Sequence, residues 1–193
     1  MAIETICGIL LSGLDTACNP PVRKYYQQAV VINKSDIDTI TNTLPSVGQC
    51  NYTTAFTLKA GKTGYRFLSP ESGTSVKGLV DKTESALGHP QFVHKAQFLV
   101  TGIGEDTKCI LDSLTRGSFV VALQLTDGTV EIYGIENGLS SADFTYDVQE
   151  GGGGVAISLD SLEASPENYL PTVYVSTPAG TENADFDSDF AQP

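Results

Sequence analysis

The chain has 193 residues, 40% of them hydrophobic and only 18% charged, and carries a net charge of −12. That length supports one domain with a sizeable core, and low charge beside abundant Ser, Thr and Gly favours a β protein. The acidic balance argues against sequence-neutral nucleic-acid binding, since no basic patch is available to displace counterions from phosphate.

Residues 1–26 mix aliphatic residues with Gly, Asn19-Pro20-Pro21 and the basic pair Arg23-Lys24, the composition of an arm or edge segment. Within it, Ile3–Leu14 carries Glu4 early and lacks a basic n-region, so it is not expected to act as a secretory signal. No apolar run approaches the length of a membrane span. Residues 27–175 are expected to form a single β domain. Its first strand is Gln28–Asn33, followed by a turn or short helical start at Ser35–Asp38 with Ser35 as a cap. Strands Asn51–Lys59 and Gly64–Leu68 are then expected as a hairpin across the Gly61-Lys62-Thr63-Gly64 turn. The Pro-, Gly- and Ser-rich residues 69–75 mark a loop. A second pair, Val76–Glu84 and Gln91–Thr101, turns around Gly88-His89-Pro90. In its second strand Phe92, His94, Ala96, Phe98 and Val100 share one face.

The period then changes. A helix is predicted over 106–116, with Asp106 or Thr107 as N-cap, Arg116-Gly117 at its close, and Ile110, Leu111 and Leu114 as its apolar stripe. Alternation returns at Phe119, Val121, Leu123 and Leu125. Asp127-Gly128 signals a type I′ hairpin into the strand Thr129–Ile135. After the Glu136-Asn137-Gly138 turn, Ala142, Phe144, Tyr146 and Val148 oppose Ser141, Asp143, Thr145, Asp147 and Gln149. Beyond Gly151–Gly154, Val155, Ile157 and Leu159 alternate with polar or small residues, and a last short strand spans Thr172–Val175. Residues 176–193 hold Glu182, Asp185, Asp187 and Asp189 and form an acidic C-terminal tail that is expected to lack order in isolation. There is no internal repeat and no parallel βαβ unit. The fold class is therefore mainly β: an antiparallel β-sandwich or partly closed barrel with one flanking helix.

No motif supplies chemistry. Gly61-Lys62-Thr63 lacks the glycine a phosphate-binding loop needs five positions before its final Gly-Lys, where Phe56 stands instead, and no helix follows. Gly102-Ile103-Gly104 opens a dinucleotide fingerprint, but the third glycine would fall at Thr107. His89 and His94 differ by five positions, so on a strand they point to opposite faces and share no metal directly; His94 is read as a packed or interfacial histidine. Asp143, Asp147 and Glu150 follow strand alternation, not calcium-loop spacing. Cys7, Cys18, Cys50 and Cys109 lack zinc-ligand spacing and are read as reduced, mostly buried thiols. Asn33-Lys34-Ser35 and Asn51-Tyr52-Thr53 match the glycosylation pattern, which carries meaning only with secretion. The expectation is a protein that is no enzyme, with catalytic, cofactor-binding and metal residues all none.

Several stretches resemble the tail tube (major tail) proteins of long-tailed phages, in particular those of phages infecting Bacteroidota. They are Leu111–Gly117, Phe119-Val120-Val121, Asp127-Gly128, Tyr133–Leu139 and Leu159–Pro166, with Cys7–Gln28 similar to the cysteine-bearing N-terminal region of such proteins. The resemblance implies a β-sandwich with a flanking helix, forming hexameric rings that stack into a hollow tube in the virion tail, assembled in the host cytoplasm. It implies contacts with other copies, with the terminator, tape measure and baseplate or hub proteins, and with genomic DNA that passes without specific binding. The helix and the Phe119–Ile135 hairpin would then be scaffold, with lumen and ring contacts from residues 51–68 and 76–101. Rival expectations are another tail or neck component such as a terminator, a capsid decoration protein, or a glycan- or receptor-binding β-sandwich. The last is disfavoured by the absence of Trp.

Overall fold

The computed structural model describes residues 26–44, 51–68, 76–101, 104–144, 154–162, 165–177 and 179–191. Their strands form two sheets. β1 (Tyr26–Asn33), β2 (Ile37–Thr43), β3 (Thr53–Leu58), β4 (Tyr65–Leu68), β7 (Phe119–Leu125), β8 (Val130–Tyr133) and β11 (Thr172–Tyr174) make the large sheet, in the order β2-β3-β11-β8-β7-β1-β4. The small sheet runs β5-β6-β10-β9, from β5 (Val76–Glu84), β6 (Pro90–Thr101), β9 (Ser140–Phe144) and β10 (Gly154–Asp160). Helix α1 (Glu105–Arg116) joins β6 to β7, and a short α2 (Glu182–Asp187) follows β11. The mainly β, two-sheet architecture agrees with the sequence.

The first core lies between the sheets, where Ala29, Val31, Val121 and Leu123 meet Ala96, Phe98, Ile157 and Leu159, with Leu111 and Leu114 of α1 alongside. Alternation places these residues: even-numbered positions of β6 and odd-numbered positions of β7 and β10 point inward. The large sheet is buried on its other face too. Val30, Ile32, Phe56, Val120, Ala122, Ile132 and Tyr174 form a second core with Phe186 and Phe190. This explains why Phe119–Leu123 is apolar at every position: β7 is central and covered on both sides.

Five expectations change in the fold. Residues 51–68 are not a hairpin, because β3 pairs with β2 and β11, whereas β4 pairs with β1 near the opposite margin. The bridge between them is held from elsewhere, Lys59 N–H donating to Asp36 O at 2.9 Å and Gly64 N–H to Asp189 O at 2.8 Å. The β3–β11 pair is parallel, so the sheet is not purely antiparallel. The Asp127-Gly128 hairpin is not type I′, which needs positive φ at both central residues. Only Gly128 is left-handed, at φ 86°, and its N–H donates to Leu125 O at 3.0 Å. That is a type I turn over Thr126-Asp127 with a glycine bulge after it. Helix α1 begins at Gly104 with no side-chain cap, and Ile110 faces outward at 44% exposure while Leu111 and Leu114 are buried.

The fifth change is the acidic tail. The segment from Ser176 onward does not stand apart: α2 and the turn after it lie on the second face of the large sheet, with Phe186 fully buried and Phe190 nearly so. Arg66 of β4 fastens this strap, donating from Nε to Asp189 Oδ1 at 2.8 Å and from Nη2 to Phe186 O at 2.7 Å. Asp189 and Phe190 both adopt left-handed backbone, at φ 54° and 59°, to bring the second ring back into the core.

Candidate interaction surface at the sheet edges

Each motif considered in the sequence has a structural place. Gly61 and Lys62 lie in a turn, where Lys62 Nζ pairs with Asp36 Oδ1 at 3.4 Å. Gly104 precedes α1, while residues 102 and 103 lie outside the described residues. Residues 145–153, including Asp147, Glu150 and the first three glycines of the Gly151–Gly154 run, and Cys7, Cys18 and Cys50 also lie outside them. Cys109 is a free, exposed thiol on α1, which departs from the expectation of burial. Among the described residues no group of three or more His, Cys, Asp or Glu side chains is placed to hold a metal ion.

The two histidines separate as their spacing requires. His89 is exposed in the β5–β6 turn, and His94 is buried between the sheets. His94 Nε2 lies 2.8 Å from Tyr169 O, and because a carbonyl only accepts, the proton sits on Nε2. The other nitrogen, Nδ1, therefore accepts from Gly134 N–H at 3.3 Å. Both ring nitrogens are committed to backbone, and burial pulls the imidazole pKa down from 6.5 to about 4. The neutral ring joins β6 of the small sheet to the end of β8 in the large sheet.

A second buried polar residue, Glu167, completes that seam. Its carboxylate accepts from Glu136 N–H and Asn137 N–H, both at 3.0 Å, and its backbone exchanges two hydrogen bonds with Phe92. Burial pushes the carboxyl pKa up, opposed by those two N–H groups and by Lys34. Lys34 Nζ donates to Glu136 O, and burial lowers its own pKa. A third network has Tyr26 Oη donating to Glu131 Oε2 at 2.5 Å and lying 2.8 Å from Tyr133 Oη. Burial and the Glu131 carboxylate raise the Tyr26 pKa, and burial pushes Tyr133 up to about 12. These hydrogen bonds tie segments of the fold together.

What remains open is strand edge. Among the described residues four strands have a neighbour on one side only: β2, β4, β5 and β9. β4 and β9 are short, and β5 carries Lys77, Asp81, Lys82 and Glu84, with Asp81 paired to Lys95 at 2.9 Å. Short length and charge both discourage another strand from adding. β2 is different. Its pattern is exposed at every position after Ile37, its only charge is Asp38, and beyond a register shift between Ile37 and Thr39 it pairs regularly with β3. Thr39, Thr41 and Thr43 stand opposite Thr57, Ala55 and Thr53 on one face, and Ile40, 43% exposed, stands beside Phe56 on the other. The sequence indicates only a turn or short helical start at Ser35–Asp38, which matches the 3-10 turn Lys34–Asp36, and it does not signal the strand after it, because Ile37 and Ile40 do not alternate. The β-branched run Ile-Asp-Thr-Ile-Thr-Asn-Thr was the available signal.

No family model, curated protein or solved structure matches the chain.

Proposed function

We propose that this chain is a virion structural protein, a tail tube subunit whose copies join into hexameric rings stacked around a DNA-conducting lumen. The observation that carries the proposal is β2: a seven-residue outer strand, nearly uncharged, whose backbone donors and acceptors on one side have no partner strand among the described residues and could be satisfied by another chain. A ring of identical subunits needs a heterologous contact of this kind, in which one surface of a copy meets a different surface of the next. The net charge of −12 suits a conduit, since acidic walls repel phosphate and let a duplex slide. The scaffold for such a subunit is the buried centre of the large sheet, β7 and β8, with α1 against the first core.

Electron microscopy of the purified chain across a concentration series tests the proposal. Polymers of uniform diameter with a central channel are the expected result. A chain that stays a single compact molecule at every concentration overturns it. Closed single rings without stacking would instead favour a terminator.

A further inference from the structure

The turn between β5 and β6 has a counterpart between β7 and β8. Each closes on a left-handed glycine, Gly88 at φ 79° and Gly128 at φ 86°. Gly88 N–H donates to Ser85 O at 2.8 Å, as Gly128 N–H does to Leu125 O at 3.0 Å. Ser85 N–H donates to His89 O as Leu125 N–H does to Thr129 O, both at 2.8 Å. A further bond, from His89 N–H to Ser85 Oγ at 3.0 Å, fixes the first turn. The residue before the glycine differs: Asp127 in one turn, Leu87 in the other. Turn tips of this kind ordinarily take polar residues such as Asp, so the backbone does not require a leucine here. Leu87 is nevertheless an apolar knob held outward, 85% exposed.

The matching concavity lies elsewhere on the molecule. A groove of about 600 Å³ runs between α1 and the β1–β4 margin of the large sheet. Tyr65, Phe67, Cys109, Ile110 and Leu114 are among its lining residues, with Tyr65 59% exposed. The Phe67 ring packs on Phe98, which stands opposite Val76 at the start of β5. β5 runs nine residues from there, paired with β6 along its whole length, and so carries the tip about 26 Å away from Val76. The hairpin cannot bend back, and Leu87 does not reach the groove of its own chain.

We infer that the occupant of the groove is Leu87 of a second copy, so that copies join head to tail, tip into groove. The inference rests on the assembly proposed above and adds a contact distinct from β2. Charge selects the two surfaces. In a chain of net charge −12, residues 82–91 carry one Lys and one Glu. The charged residues lining the groove, among those described, are Arg66 and Asp189, paired with each other at 2.8 Å. Both surfaces are therefore neutral, and two acidic molecules can meet there without repulsion. A knob on one surface and a hole on another make a heterologous contact, which propagates from copy to copy instead of closing into a pair. One leucine and its turn neighbours cover far less than the roughly 1,200 Å² that a stable dimer buries. The knob therefore acts alongside β2 and forms no dimer by itself.

Cys109 is an exposed thiol in the groove and provides the test. Full chains carrying Leu87→Cys and Cys109→Ala are mixed with tagged, otherwise unaltered chains at polymer-forming concentration and oxidised with copper–phenanthroline. A disulfide between position 87 of one chain and Cys109 of another is expected, identified by peptide mapping. Asp127→Cys with Cys109→Ala, at the same place in the matching turn, is the control and should link far more slowly. Leu87→Ser is the second measurement: it should fold normally and raise the critical concentration for polymers by about tenfold. Polymers that lack the 87–109 link and tolerate Leu87→Ser overturn the knob contact and leave the tube reading standing. Linking from position 127 as fast as from position 87 also overturns it. Absence of both polymers and link overturns both readings.

Discussion

His94 and Gly134 share a hydrogen bond of 3.3 Å that crosses from the small sheet to the large one, and it exists only while the imidazole is neutral. Protonation turns Nδ1 into a donor facing a donor. The folded pKa of about 4 lies below the unfolded 6.5, so the unfolded chain binds the proton first. The contribution is fully present above 6.5, declines as pH falls toward 4, and is lost below that; the full span amounts to about 3 kcal/mol. The other ionisable groups nearby are Tyr133, whose ring packs on His94, and Glu167, Glu136 and Lys34 across the same seam. Urea denaturation from pH 7 to 4 should show the decline, and NMR titration of His94 should place its midpoint near 4. In His94→Gln, which has no proton to gain, the part of the slope due to this residue should vanish.

Glu167 pulls the other way. Its folded pKa is raised above 4.5, so its contribution is complete below 4.5 and is lost as pH rises through the folded value. The fold holds this buried carboxyl group against that cost because its two oxygens accept from the N–H groups of Glu136 and Asn137. Glu167→Ala removes both acceptors and should destabilise by about 3 kcal/mol, with Glu136 and Asn137 amides exchanging faster. Glu167→Gln keeps one carbonyl acceptor and should lose about half as much, while its stability becomes less dependent on pH above 4.5. Equal losses in the two variants would mean the carboxylate geometry is not what holds the turn.

The sequence made the inward faces legible and left the pairing obscure, and particular residues show why. The face containing Phe92, His94 and Phe98 was readable because alternation along β6 is a local property. Pairing is not local: β4 follows β3 in the chain yet lies against β1, a choice set by the second core and by Arg66 reaching the C-terminal strap. The strap itself was hidden by its acidity. Phe186 and Phe190 lie four positions apart among Asp and Glu, and that spacing was the one indication that the segment packs. Glu167 gave no sign, since a buried carboxylate is defined by N–H groups that only the folded turn presents.

That strap gives a direct prediction. Phe186 is fully buried against the second core, and Phe186→Ala should cost about 3–5 kcal/mol, read as a lowered urea midpoint. Arg66→Leu keeps the aliphatic stem but loses the bonds to Asp189 and Phe186 O, and should loosen the strap more than the sheets. Hydrogen exchange should therefore rise in 182–191 while the amides of β7 stay protected. Uniform acceleration across the sheets would show that the strap is integral to global stability and not a separable unit.

Gly78 in β5 lets the small sheet approach Tyr133 and Leu123 of the large sheet. A Cβ there would lie 2.5 Å from Tyr133 Oη and 2.8 Å from Leu123 Cδ1, both in buried residues. Gly78→Ala should therefore destabilise by about 1–3 kcal/mol, because the buried Tyr133 ring or the Leu123 side chain must shift to admit the methyl group. The displaced Tyr133 would also disturb its contact with Tyr26, so loss of tyrosine fluorescence anisotropy or a shifted near-ultraviolet spectrum should accompany the change. An unchanged melting temperature would show that the sheets can separate at this point without cost.

β2 supplies the prediction that separates assembly from folding. Thr41 is exposed in the middle of the strand and stands opposite Ala55. Thr41→Lys adds a lysine of the kind β5 carries at Lys77 and Lys82 and β2 lacks, and a substitution at such a site should alter folding stability by no more than about 0.5 kcal/mol. Its effect on polymer formation should be far larger, since a lysine inside an added-strand contact must be desolvated or repel its neighbour in every copy. The expected outcome is a well-folded chain whose critical concentration for polymers rises at least about tenfold, which corresponds to about 1.4 kcal/mol per contact. Sedimentation and electron microscopy measure it, with Lys82→Thr in the guarded strand β5 as the comparison. If Thr41→Lys polymerised like the unaltered chain, the contact would have to lie on another edge. Weakened assembly in Lys82→Thr alone would point to β5.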